Sequence, residues 1–320
     1  MKKEKAGTGG SARRLSKGRF REDLRRNWVL WIMLAPALCF FIINNYLPMV
    51  GVYFAFTKFN FRGGIFGSPF VGLANFAFLW KSNVLLNLTI NTVLYNIVFI
   101  GLGNVLQVTV AILISQIGSR VLKRVTQTLI FMPYFVSFVI FSVLVYNIFN
   151  YEFGLVNGIL KSLNLKPVDF YGEPLYWPFF ITIFYIWKSL GYGVVVYLAT
   201  ILGINKEYYE AARVDGAGIT QQIRYITLPQ LAPTFTILLL FSIGHIMKGQ
   251  FELFYQIIGN NGLLFSTTDI IDTYVYRSLT ATFDFGMGTA AGLYQSVFGF
   301  IMVMAVNIAV KRKDPAYALF

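Results

Sequence analysis

The chain has one cysteine and one histidine in 320 residues, and only 14 aspartates and glutamates. Cys39 lies inside an apolar run, which excludes an internal disulfide and a cysteine-based metal site. A lone histidine, His245, cannot build a multi-histidine metal site. A phosphate-binding loop needs Gly-Lys followed by Ser or Thr, yet no Gly-Lys dipeptide occurs, and there is no Gly-x-Ser-x-Gly nucleophile elbow. No catalytic residue, metal or cofactor is therefore expected in this chain. If energy from ATP is used, another subunit supplies it.

What is abundant is apolar surface. Apolar residues make up 56% of the chain and charged residues 13%, with a mean hydropathy of +0.61. A single soluble core cannot hide that much. A membrane-spanning helix needs about 20 apolar residues, and the qualifying stretches are 28–57, 88–115, 121–149, 178–202, 232–258 and 285–310. The fold class is all-α: a polytopic membrane protein with six transmembrane helices.

Positive loops stay cytoplasmic. With the N-terminus inside, the inner segments hold 10, 3, 3 and 3 lysines and arginines, whereas the outer loops hold 6. Both termini are accordingly expected in the cytoplasm. The division is a basic N-terminal segment (1–27), a six-helix transmembrane domain (28–310) with an inner loop at 203–230, and a cytoplasmic tail (311–320). The net charge of +13 is concentrated in residues 1–27, where it sets topology and meets anionic lipid, so it does not point to nucleic acid. A flexible start with a surface helix near 18–26 is expected. The apolar run from Trp28 is too long for a cleaved signal peptide and is read as the first span.

Polar residues inside spans must face protein or water. In the second span Asn96, Gly103, Gln107, Ala111 and Ser115 share a face, and Gly288, Gly292 and Ser296 make a small-residue face in the last span; both are read as helix packing. Lys188 sits near mid-membrane with Tyr185 and Tyr192 on its face, and needs a partner or water. His245, Lys248, Glu252 and Gln256 form a stripe, either through a Lys248–Glu252 pair within one helix or as the lining of a watery pathway.

The inner loop is the most informative stretch. Asn205 is an N-cap for a helix over 206–215, Glu207 lies in its first turn, and Gly216 suits the left-handed position that ends it. Thr220 is expected to cap a second short helix through Arg224, with Pro229 opening the fifth span. Ala211 and Ala212 leave room for a partner, Glu210 and Asp215 offer charge, and Val214, Ile223 and Ile226 offer apolar anchors.

The run Glu210-Ala211-Ala212, three residues, Gly216, nine residues, Ile226-Thr227-Leu228-Pro229 resembles the EAA motif of permease subunits of binding-protein-dependent ABC importers. The segments Phe70–Phe76 and Asp269–Arg277 resemble the carbohydrate-uptake branch, and within it oligo- and polysaccharide permeases. The resemblance implies a type I importer permease fold in a bacterial plasma membrane. It implies a second permease subunit, two cytoplasmic ATPase subunits that bind ATP and Mg, and an extracytoplasmic solute-binding protein. Glu210, Ala211, Ala212, Asp215, Gly216, Ile226, Leu228 and Pro229 would dock the ATPase.

Tyr185, Lys188, Tyr192, His245, Lys248 and Glu252 are the candidates for a substrate pathway, and the two lysines would suit an acidic saccharide. The sugar site can instead belong to the partner permease. A permease for a non-sugar solute, an ion-coupled secondary transporter and a membrane-embedded enzyme built on His245 and Glu252 are the alternatives. Glu252 is the one mid-span acid available to the last two.

Overall fold

The computed structural model describes residues 25–313. The basic segment through residue 24, most of the surface helix expected there and the tail after 313 lie outside the described residues. These residues fall into two compact units that divide between Val52 and Tyr53. In the first, α1 (Trp28–Phe41) runs into a π turn at Ile42–Tyr46. Pro48 follows that turn, and widening to an i→i−5 ladder keeps a proline ring clear of the carbonyl four residues back.

Among the described residues the regular structure of the second unit is helical, apart from an isolated antiparallel bridge between Thr57 and Phe70. Its spans are α2 (Val84–Ser115), the pair α3 (Arg120–Phe131) and α4 (Phe138–Phe149), and α5 (Trp177–Leu202). The inner loop follows as α6 (Lys206–Val214) and α7 (Ile219–Gln222), then α8 (Leu228–Ile243). After it come α9 (Phe251–Ile258), α10 (Ile271–Thr280) and α11 (Phe285–Lys313). By length and composition five helices can cross a membrane, or six if the bent pair counts as one span.

Two expected spans are broken. The third bends by 91° between α3 and α4. Pro133 lacks the N–H that would continue the ladder, and Ser137 restarts it by accepting from the Ile140 amide at 3.3 Å. The fifth does not run over 232–258. Helix begins at Ile219, continues through a π turn at Ile223–Thr227 into α8, and stops at Ile243. Residues 244–250 are non-helical, and α9 is a separate short helix.

Helix α5 is the axis of the core. Tyr95, Phe99, Phe141, Trp177, Ile181, Leu253 and Phe254 make one buried cluster that joins α2, α4, α5 and α9, and the Phe99 and Tyr185 rings stack at 3.9 Å. A second cluster packs Ala111, Ile112, Val194, Tyr197, Leu198 and Leu231 where α2, α5 and α8 meet. Of the α2 face read as packing, Gln107 fills the space beside Gly193 and Ala111 joins this cluster, whereas a Cβ on Gly103 would meet open space; Asn104, next to that face, accepts from the Tyr197 hydroxyl at 2.7 Å. On the last span Gly288 lies against α10, where a Cβ would come 3.0 Å from that of Ser278.

Two glycines on α5 differ in what they face. A Cβ on Gly191 would strike the Ile130 carbonyl, a backbone atom of α3, whereas one on Gly193 would strike only the movable end of Gln107. Gly191→Ala is expected to lower stability by about 2–3 kcal/mol and Gly193→Ala by less than about 1 kcal/mol, the overpacking range. Thermal unfolding of the detergent-purified variants tests this; equal losses would contradict the packing described.

Candidate functional site

The inner loop is a short helix, a left-handed turn and a second helix continuous with a span. Asn205 accepts from the Glu207 amide at 3.0 Å and donates to the Glu207 carboxylate at 3.0 Å, which fixes the start of α6. At its end Gly216 has φ +78°. The Gly216 amide donates to the Arg213 carbonyl at 3.0 Å and the Ala217 amide to the Ala212 carbonyl at 2.8 Å, the paired closure that a residue with a Cβ hinders.

Thr220 is not a cap. Gly218 precedes α7, and its amide donates to Gln221 Oε1 at 2.8 Å, so Thr220 lies inside the helix. Nor does α7 end at Arg224. The π turn carries it into α8, since Pro229 repeats the steric problem met after the first π turn. The loop is tied to this turn by Tyr209, whose hydroxyl lies 3.0 Å from the Thr227 hydroxyl, and by Gln222, which donates to the Ala217 carbonyl at 2.9 Å.

The motif residues are presented outward. Glu210, Ala211, Asp215, Gly216, Leu228 and Pro229 are exposed, while Ala212, Ile223 and Ile226 are half-buried. Val214 is 88% exposed, the highest value of any large apolar side chain among the described residues.

The second region is a cavity of about 800 Å³. Its wall comes from the bend between α3 and α4 (Tyr134–Val139), from α5 (Tyr185, Lys188, Ser189), from the start of α9 (Gln250, Phe251, Glu252, Tyr255, Gln256) and from Tyr276 of α10. Tyr185, Lys188 and Glu252 therefore meet on one surface. Tyr192 is a support, its ring stacked on Tyr134 at 5.5 Å. His245 and Lys248 are elsewhere: both lie in the break after α8, exposed, and are not part of the cavity wall. His245 Nδ1 is 2.9 Å from the Phe241 carbonyl. Because the helix stops at Ile243, the stripe through His245, Lys248, Glu252 and Gln256 does not form, and no ion pair joins Lys248 to Glu252.

The break itself is held by side chains from other elements. Asn96 Nδ2 donates to the Ile246 and Lys248 carbonyls, each at 3.0 Å. Gln295 donates to the Met247 carbonyl at 2.7 Å and to Asp272 at 2.9 Å, and Asp272 accepts from the Gly249 amide at 2.7 Å. This scaffold turns Gln250, Phe251 and Glu252 into the cavity. Chemically the cavity offers aromatic faces beside amides, hydroxyls and a carboxylate, a surface suited to a polyol that stacks and hydrogen-bonds.

Residues 100–315 match the family described as binding-protein-dependent transport system inner membrane component. The chain belongs to this family. It is 32% identical to LplB of Bacillus subtilis over 91% of each chain. To the polygalacturonan/rhamnogalacturonan transport system permease protein YteP of the same organism it is 30% identical over 88% of each chain. The trehalose/maltose transport system permease protein MalF of Thermococcus litoralis is 26% identical over 87% of this chain and 90% of its own. Among solved structures, a chain of a bacterial alginate ABC transporter in complex with alginate pentasaccharide-bound periplasmic protein superposes with a TM-score of 0.81. It is 31% identical over 92% of this chain and 98% of that one.

As a family member the chain carries its motif loop within the matched region, but much of the cavity wall went unrecognised in the sequence. Tyr134, Ser137, Phe138, Gln250, Tyr255 and Gln295 carry no pattern of their own in the sequence, and Asp272 and Tyr276 stand out only as part of the segment Asp269–Arg277. Pro133 followed by Ser137 was the available signal for the first break, and Gly244 with Gly249 for the second.

Asn96→Leu would strip the break of two carbonyl partners. A stability loss of about 2 kcal/mol is expected, the cost of leaving buried acceptors unpaired, with faster hydrogen exchange at Met247–Gly249. Unchanged exchange there would show that Asn96 does not hold the break.

Proposed function

We propose that this chain is the permease subunit of an ATP-driven importer that carries an oligo- or polysaccharide across a bacterial plasma membrane. Its termini and the 203–230 loop face the cytoplasm, the side favoured by the Lys and Arg distribution. Of two ATPase subunits, which bind ATP and Mg, one docks on the inner loop of this chain through Glu210, Ala211, Ala212, Asp215, Gly216, Ile226, Leu228 and Pro229. A second permease, different in sequence, completes the pathway, and an extracytoplasmic binding protein delivers the sugar.

The observation that carries this reading is the outward-facing motif on a helix fastened to the base of a span. The Tyr209–Thr227 contact and the unbroken run from Ile219 to Ile243 make the loop and α8 one mechanical piece. Closure of the ATPase dimer would draw the two permease loops together and turn the pathway outward; hydrolysis would reset it. The saccharide assignment is supported by the aromatic and polar wall of the cavity and by the saccharides in the names of the relatives.

The test is co-purification of ATPase subunits with this chain and its partner permease. Wild type is expected to retain the ATPase, and Glu210→Arg and Gly216→Pro to lose it, because proline cannot adopt φ +78°. Equal retention by all three would remove the docking assignment. Tyr209→Phe is expected to keep the ATPase bound and to lower ATP-driven uptake about fivefold, the scale of one hydrogen bond of about 1 kcal/mol. Loss of ATPase binding in Tyr209→Phe would place that tyrosine in the docking surface instead.

A further inference from the structure

Lys188 is 8% exposed and lies in the wall of the cavity. An ammonium carries three N–H donors and no acceptor. All three have partners in the bend of the third span: Lys188 Nζ donates to the carbonyls of Pro133 at 3.3 Å, Tyr134 at 3.1 Å, and Val136. The charge also lies 4.6 Å from the centre of the Phe138 ring. Pro133 and Tyr134 lie in the last turn of the helix and Val136 caps it, where the dipole is negative; the Pro133 carbonyl also accepts from the Val136 amide at 3.2 Å.

We infer that Lys188 is a positioning residue that pins the 91° bend between α3 and α4, and not a counter-ion for an acidic substrate. To reach a substrate carboxylate the ammonium would have to give up these carbonyls, since all three of its donors are already engaged. By pinning the bend it holds Tyr134, Phe135, Ser137 and Phe138 on the cavity wall. Gly191, one turn further along α5, lets that helix close on α3 next to the same bend. Part of the test rests on the cavity being the transport pathway; the geometry of the bend does not.

The experiment uses the assembled transporter with its partner permease and ATPase subunits. Cys39→Ser removes the native thiol, and spin labels at Val121 and Val143, both exposed, report the angle between α3 and α4 by pulsed dipolar spectroscopy. Lys188→Met is expected to shift or broaden the label-to-label distance, and Lys188→Arg, which keeps charge and donors, to restore it. In uptake assays a neutral and a uronate oligosaccharide of equal length are expected to fall together in Lys188→Met. The loss should be about tenfold, the scale of a charge-assisted hydrogen bond. Failure of Lys188→Met to assemble while Lys188→Arg assembles also supports pinning. An unchanged label distance in Lys188→Met would overturn the inference, as would a loss confined to the uronate. If wild type imports neither sugar, the saccharide reading falls and the label distances still decide the role of Lys188.

Discussion

A backbone that crosses hydrocarbon must satisfy its own amides and carbonyls, because no water is there to do it. This chain breaks two of its spans and meets that demand twice with polar side chains from neighbouring helices. At the third span the donor is Lys188, with three carbonyls around one ammonium. At the fifth it is a set: Asn96 and Gln295 supply donors to carbonyls, and Asp272 supplies an acceptor to the Gly249 amide. A polar residue inside a membrane invites a functional reading, yet here these groups are bonded to irregular backbone.

The breaks in turn create the cavity. A straight third span would keep Tyr134–Val139 in a helical ladder, and a straight fifth span would put Glu252 on the same face as Lys248. Instead both bends open toward α5, and the aromatic groups of two broken segments face each other across Lys188 and Tyr185. The fifth span also connects this wall to the inner loop. From Tyr209 the path runs through Thr227 into α8, then across the stitched segment 244–250 to α9. In the proposed mechanism a displacement of the loop would reach the residues that line the cavity along this path.

Legibility followed periodicity and local chemistry. The second, fourth and sixth spans were read close to their observed limits, since uninterrupted apolar runs leave little else for the backbone to do. The start of α6 and the left-handed Gly216 were also legible, because an Asn cap and a C-terminal glycine act within a few residues. The stripe of His245, Lys248 and Glu252 misled because a helical period was carried through Gly244 and Gly249, where the chain leaves the helix. Thr220 misled because Gly218 and the side chain of Gln221 provide the helix start one step earlier. The role of Lys188 was beyond local reading: its partners are more than 50 residues away in sequence and are backbone atoms, which no side-chain pattern reveals.

The segment Asp269–Arg277 shows how completely a recognisable sequence can be consumed by architecture. Arg277 grips Asp269 with both terminal nitrogens, at 3.1 and 2.6 Å, and lies over the Phe265 ring at 4.0 Å. Thr273 donates to Asp269 at 2.8 Å and accepts from the Ile270 amide at 3.0 Å. Asp272 holds Gly249, and Tyr276 alone faces the cavity. A charged pair, a hydroxyl and an acid in one short segment resemble a binding site on paper. In the fold, Asp269, Thr273 and Arg277 brace the start of α10 against itself and the Phe265 ring, and Asp272 fastens the broken fifth span to it. What this segment would present to the proposed saccharide is therefore the Tyr276 side chain, while its other polar groups hold the wall in place.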